Sequence, residues 1–259
     1  MRLLIPLLLI LGMLPAALAQ SNPTRPAGAP VIYQSTSEWQ RITLRQPVAA
    51  GFRPAGTPAG SAGSSTNGVL FRPAFRADFT TNRNGWKAGA QGDYVYQIGL
   101  GDYRIRKRRT NTKQAAFSYV ALPPNVNLNQ ADTFTVKVDM LADSGRIPAG
   151  GLLFGVRDSL NYSVFGVNAA GQVTVRRVVN GESFAQYMPG TYLSAGVPIE
   201  RNRNRLTIRR QHNKLRFYLN EREIRSSPYE FRTLAGNGIG VTTAADWIWF
   251  QKLSATIGP

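Results

Sequence analysis

Two-residue alternation, sustained from about residue 69 to the C-terminus, confines this chain to layered β structure. Leu206 and Ile208 fall on one side of an extended strand, and Thr207 and Arg209 on the other. Gln211, His212, Asn213 and Lys214 turn the chain. Leu215, Phe217 and Leu219 then resume the apolar side, while Arg216 and Tyr218 point away. Asn220, Glu221 and Arg222 make a second turn, so that 204–221 reads as a two-hairpin meander with one apolar and one basic face, as an outer layer of a sandwich requires. Strand-like runs recur at 94–99, 103–108, 115–122, 133–141, 152–157, 162–167, 172–178, 183–187, 205–210, 215–219, 238–242 and 247–253, punctuated by Gly, Asn, Asp and Pro. No amphipathic helix of three turns interrupts them, so an all-β sandwich or barrel is expected. In 152–157 and 164–168 both faces are apolar or small, which marks those strands as central.

The first 68 residues read differently. Arg2, the apolar stretch from Leu3 to Leu14 and the small residues Ala17-Leu18-Ala19 make 1–19 a secretory signal peptide with the mature chain starting at Gln20. No later stretch offers about 18 uninterrupted apolar residues, so no transmembrane segment is expected. Residues 20–68 form a Pro/Gly/Ser-rich linker, expected to be mostly disordered: AGTPAGSAGSSTNG at 55–68 has too little apolar area to offset its ordering entropy. Within it, 31–52 carries Tyr33, Trp39, Ile42 and Leu44 and fits a short strand, an anchoring arm or an unstructured stretch. The folded domain is then 69–259.

The chain has no cysteine. That closes the lipoprotein route, thiol catalysis, iron–sulfur clusters and thiolate zinc sites, and an exported chain without disulfides points to a bacterial periplasm, cell surface or medium. The mature chain is long enough to bury one sizeable core without staples. Thirty-one Lys and Arg against 14 Asp and Glu give a net charge of +17. Such a field attracts polyanions, and a basic background for solubility accounts for it as well.

A family resemblance emerges from motifs in order. FRADFTTNRNGW (75–86) resembles an opening "DDF…NGW" strand, and GDYRIR (101–106) its early partner. GGLLFGVRDSLNYSVFGVNAAGQVTVRRVVNGE (150–182) resembles hairpins of the type "GLVFR…D…NYYLF…GQY…R…NGE". NRLTIRRQHNKLRFYLNEREI (204–224) and GNGIGVTTAADWIWFQKLSATI (236–257) resemble "NRLRV…G…LRFYVNG…V" and the closing "GRIGL…V.FDNFRV". Together, over about 71–257, they resemble the concanavalin A-like lectin/glucanase superfamily, and within it the laminin-G-like and 3-keto-disaccharide-hydrolase-type bacterial sandwiches. The resemblance implies a two-sheet antiparallel jelly roll in which a concave sheet face often holds carbohydrate, in a superfamily of both enzymes and binders. The chain departs from the pattern at Phe250-Gln251-Lys252, where some relatives carry an acid, and at Leu219-Asn220-Glu221, where the turn glycine is gone.

No E-x-D-x-E pattern places two carboxylates on one strand face, as a retaining glucanase of this superfamily requires, and no catalytic residue is assigned. Glu221 and Glu223, a close acidic pair, fall at a hairpin turn, and the single histidine, His212, falls in another. Asp78, Asp102, Asp143, Asp158 and Asp246 are candidate oxygen ligands for a structural calcium ion such as some relatives hold, but no sequential ligand loop is visible and no other cofactor is expected. Two basic runs contain no acid: 103–113, with Arg104, Arg106 and Arg108, and 201–216, with Arg209 and Arg216. These five arginines are candidates for polyanion binding. Pyranose rings stack on exposed aromatic faces while polar side chains hold their hydroxyls, which makes Trp247, Trp249, Arg157, Tyr162 and Trp86 the candidates for a glycan site. Trp247 and Trp249 share one face of a strand, either packed against the other sheet or lining a groove. The expected function is an exported, non-catalytic module that binds carbohydrate at the cell envelope or surface. The alternatives are a glycoside hydrolase with carboxylates gathered from distant strands, and electrostatic adhesion to an anionic polymer such as extracellular DNA or lipopolysaccharide.

Overall fold

The computed structural model describes residues 74–143, 145–184 and 192–258. The expected signal peptide and disordered linker, with 31–52, lie outside the described residues.

The chain begins with β1 (Ala74–Ala77), β2 (Gly89–Gln91), β3 (Tyr94–Gly99), β4 (Asp102–Lys107), β5 (Ala116–Ala121) and β6 (Thr133–Leu141). It continues with β7 (Gly150–Asp158), β8 (Asn161–Val167), β9 (Gln172–Val179), β10 (Glu182–Phe184) and β11 (Leu193–Ser194). It ends with β12 (Arg203–Gln211), β13 (Lys214–Leu219), β14 (Arg222–Glu223), β15 (Tyr229–Glu230), β16 (Gly238–Thr243) and β17 (Trp247–Ile257). Every run expected from alternation falls on a strand, except that 185–187 lies outside the described residues. Strands β2, β11, β14 and β15 have two or three residues, too few for a period of two to show.

The expected two-sheet antiparallel jelly-roll sandwich is the observed fold. The larger sheet runs β14-β13-β12-β6-β17-β4-β3-β2, with β1 on β17 and β15 on β13. The smaller runs β10-β9-β8-β7-β16-β5, with β11 on β9. Register places the alternating side chains as the sequence implies. Leu206 lies opposite Leu219 and Val138, and Ile208 opposite Phe217 and Val136, all turned into the core. The smaller sheet answers with Leu152, Phe154, Phe165, Val173, Val175, Ile239 and Val241. Each such side chain contributes roughly 1.5–3 kcal/mol by leaving water, and the two inner faces supply most of the interior.

Trp86 belongs to this interior. It is 3% exposed, edge-on to Phe79 at 5.4 Å and beside Tyr103 at 5.5 Å. Asn82 fixes the turn that sends it inward, accepting from the Trp86 amide at 2.7 Å and donating to its carbonyl at 3.0 Å. A ring so covered offers no face to a sugar, which corrects its assignment as a glycan candidate.

Strands β7 and β8 stand in the middle of the smaller sheet and are buried on both sides. On the outer side Leu153, Val156 and Val164 form a second apolar cluster under Phe117, Tyr119 and Tyr162. Strand β7 bulges after Phe154, where Gly155 has φ 61°. A Cβ there would stand 2.6 Å from that of Leu234, so both the dihedral and the close approach require glycine.

Candidate ligand groove

One row of residues crosses the outer face of the smaller sheet. Thr242 on β16 pairs with Gly151 on β7, Gly151 with Gly166 on β8, and Gly166 with Thr174 on β9. Two adjacent glycines between two threonines leave a trough, because a strand glycine places nothing above the backbone. A Cβ on Gly151 would already stand 2.9 Å from Val164 Cγ2, so the floor has no room to grow side chains without displacing its walls. The cavity above holds about 630 Å³, within the size range of sites for small polar ligands.

Its walls come from loops. The β6–β7 loop brings Arg146 and Ile147, the β16–β17 turn brings Ala244 to Asp246 and leads into Trp247, and Tyr192 and Arg201 approach from the segment before β12. Hydrogen bonds hold these loops together. Asn202 accepts from the Gly145 amide at 2.6 Å through Oδ1, its own amide donates to the Arg146 carbonyl at 2.8 Å, and its carbonyl accepts from Ala142 at 2.9 Å. Thr243 Oγ1 donates to the Ala149 carbonyl at 2.7 Å and accepts from the Ala245 amide at 3.0 Å.

Three polar side-chain atoms of groove residues are out of contact with water and have no hydrogen-bond partner among the described residues: Thr174 Oγ1, Arg176 Nε and Trp247 Nε1. Thr174 is 2% exposed. Buried polar groups of folded proteins are nearly always paired, because each unpaired one costs roughly 1–3 kcal/mol. Trp86 Nε1, Thr207 Oγ1 and Trp249 Nε1, outside the groove lining, are unpaired in the same way among the described residues. Arg176 also lies over the Tyr192 ring, 6.0 Å from its centre.

Of the residues singled out from sequence, Trp247 among the glycan candidates and Asp246 among the calcium candidates line this groove. Trp249 lies two residues on, half-buried on the outer face of the larger sheet, edge-on to Trp247 with ring centres 5.9 Å apart. The two therefore share a face, as alternation predicts, and that face is turned away from the other sheet: the inward residues are Ile248 and Phe250. Tyr162 shares the groove's side of the smaller sheet but packs on Phe117 at 4.8 Å, outside the groove lining. Arg157 is exposed at the β7–β8 hairpin and bonds its neighbour Asp158. Arg157 and Tyr162, the glycan candidates within 150–176, therefore both lie outside the groove lining. Gly150, Gly151 and Gly166 inside strands are the sequence cue for a close ligand approach, whereas Thr174, Arg176, Arg146 and Arg201 look like any surface residues until the strands pair.

The basic runs meet acids that alternation alone does not bring near. Arg104 pairs with Asp102, Arg209 with Glu221 and Arg216 with Glu223. Asp139, 1% exposed in the middle of the larger sheet's outer face, is clamped by Arg203 and Arg205. Burial would raise the Asp139 pKa, but hydrogen bonds from Arg205 and Arg203 outweigh it and hold the carboxyl below its usual range. Arg106 lies over the Trp247 ring at 5.9 Å, and Arg108 is exposed, its amide bonded to the Asp93 carbonyl. Of the five arginines considered for polyanion binding, Arg104, Arg209 and Arg216 are thus ion-paired, whereas Arg106 and Arg108 enter no ion pair among the described residues. Glu221 and Glu223 are engaged in those pairs, and His212 sits at φ 56° in its two-residue turn. Among the described residues no group of three or more His, Cys, Asp or Glu is placed to hold a metal ion, and the five aspartates considered for calcium do not form one.

No family model matches this chain, and neither does any curated protein. Solved structures of similar fold include a carbohydrate-binding module from Bacillus subtilis, 18% identical over 66% of this chain and 95% of that one, at a TM-score of 0.42. A Bacillus subtilis protein of unknown function with a galectin-like fold is 10% identical over 71% and 96%, at 0.45. A galectin from Caenorhabditis elegans is 10% identical over 58% and 100%, at 0.37. Likeness of this degree carries no argument about what the present chain binds.

Proposed function

We propose that this chain is an exported, non-catalytic carbohydrate-binding module of the concanavalin A-like kind, with the sugar lying in the groove across the smaller sheet. The observation that carries the reading is a groove of about 630 Å³ floored by Gly151 and Gly166, with Tyr192 and Trp247 beside Thr174, Arg146, Arg176 and Arg201 in its lining. Sugar hydroxyls both donate and accept, so they satisfy a hydroxyl, a guanidinium and an indole N–H together, while Tyr192 and Trp247 offer ring surface to the C–H faces. Hydrolysis by the usual route needs two carboxyl groups flanking the glycosidic bond. Asp246 is the one acid among the described residues lining the groove, which favours binding over cleavage.

The test is a glycan array probed with the full-length mature protein at low and near-physiological salt, with Gly166→Val and Thr174→Val alongside. Selective binding that survives the higher salt, disappears in Gly166→Val and weakens about fivefold in Thr174→Val is expected. Absence of glycan binding, or binding indifferent to Gly166→Val, overturns the proposal.

A further inference from the structure

On the larger sheet Arg104, Arg203, Arg205, Arg209 and Arg216 each pair with an Asp or Glu, while Arg106 lies over the Trp247 ring without a carboxylate among the described residues. Arg146, Arg176 and Arg201 enter none of the ion pairs among the described residues, and all three line the groove. Arg201 donates only a long 3.3 Å bond to the Gly145 carbonyl, and Arg176 keeps a buried, unpaired Nε. Asp246, the acid of the groove, faces Lys107 at 3.4 Å and so has a cation of its own.

Three guanidinium groups border one cavity, Arg176 half-buried and Arg146 and Arg201 exposed, and like charges there repel each other. A neutral sugar would leave that charge uncompensated, and sealing the groove over it would cost free energy. An oxyanion removes the repulsion and matches the planar fork of arginine with two parallel bonds. We infer that the sugar bound in this groove is acidic, its carboxylate or sulfate held by Arg176 together with Arg146 and Arg201. The inference rests on the carbohydrate reading of the same groove and adds the class of glycan. Thr174, two residues from Arg176 on the same strand face, then serves a neighbouring hydroxyl.

The experiment titrates the full-length mature protein at about 150 mM salt, where diffuse attraction between exposed charges is largely screened, by calorimetry. Four probes are used: an oligogalacturonate, the same oligomer with its carboxyl groups reduced to alcohols, a sulfated oligosaccharide of equal length, and inorganic phosphate. Tighter binding of either acidic oligomer than of the reduced one, by tenfold or more, supports the inference, and the tighter of the two names the oxyanion. Arg176→Gln should abolish that preference. Arg146→Gln, at an exposed loop position where folding is not at risk, should lower it several-fold, and Lys137→Gln on the larger sheet should leave it intact. Equal affinity for the acidic and reduced oligomers overturns the acidic inference and leaves the carbohydrate reading standing. Binding of phosphate with no binding of any oligosaccharide overturns both.

Discussion

The Tyr103 hydroxyl meets the Ser118 hydroxyl at 2.7 Å across the interior, joining β4 of the larger sheet to β5 of the smaller. It also donates to the Lys87 carbonyl at 2.9 Å, and desolvation raises its pKa far above the ordinary tyrosine value, so it stays neutral throughout the stable pH range. Tyr103→Phe keeps the ring in its stack with Phe79 but strands two polar partners, Ser118 being fully buried. A loss of about 1–2 kcal/mol is expected, read as a lower urea midpoint with an unchanged slope. A Tyr103→Phe protein as stable as the parent contradicts this account of the tie.

Asp139 links stability to pH. Its folded pKa lies below the unfolded value, so the stabilisation is fully present above about pH 4 and is lost as pH falls through the folded value. Asp139→Asn should therefore cost about 1–3 kcal/mol at neutral pH, toward the lower end because both arginines are partly exposed. The gap between variant and parent should close in acid. Chemical denaturation at pH 7 and pH 3 measures it, and a gap that widened on acidification would refute the assignment.

Glu221 sits at φ 64° after Asn220 at φ 50°, in the two-residue turn between β13 and β14. A side chain in the left-handed region costs about 1 kcal/mol, whereas its ion pairs with Arg205 and Arg209, at 3.4 Å on an exposed surface, contribute a few tenths each at most. Strain outweighs the pairs. Glu221→Gly should raise the thermal midpoint by about 1–3 °C, and calorimetry showing a fall would mean that the pairs dominate.

Two glycines of the smaller sheet should respond unequally to the same methyl group. A Cβ on Gly240 would stand 2.2 Å from the Ser118 carbonyl and 2.7 Å from Tyr119 Cα, contacts that only a backbone shift relieves. On Gly166 the nearest atoms are at 3.1 Å and 3.5 Å. Gly240→Ala should cost about 3 kcal/mol or more and Gly166→Ala about 1 kcal/mol or less, a difference visible in thermal melts as several degrees.

Strand faces were legible because side-chain direction in a strand is a local property of period two. Leu206, Ile208, Leu215, Phe217 and Leu219 point inward wherever the strands lie, and so do Ile248 and Phe250 once Trp247 and Trp249 are assigned outward. Trp86 was misplaced because no period governs a turn: its direction is set by two hydrogen bonds with Asn82, one donated and one accepted by that side chain.

The sequence by itself determined that this chain is built of antiparallel strands with one apolar face each, since alternation and turn residues act over a few positions. Tertiary structure alone decided which charges are neutralised and where a ligand can lie. Asp139 and Arg205 stand 66 residues apart and share bonds, while Arg146, Arg176 and Arg201 come from three separate segments to one cavity. Those relations depend on strand order and register, which are fixed by the packing of two whole sheets rather than by any segment.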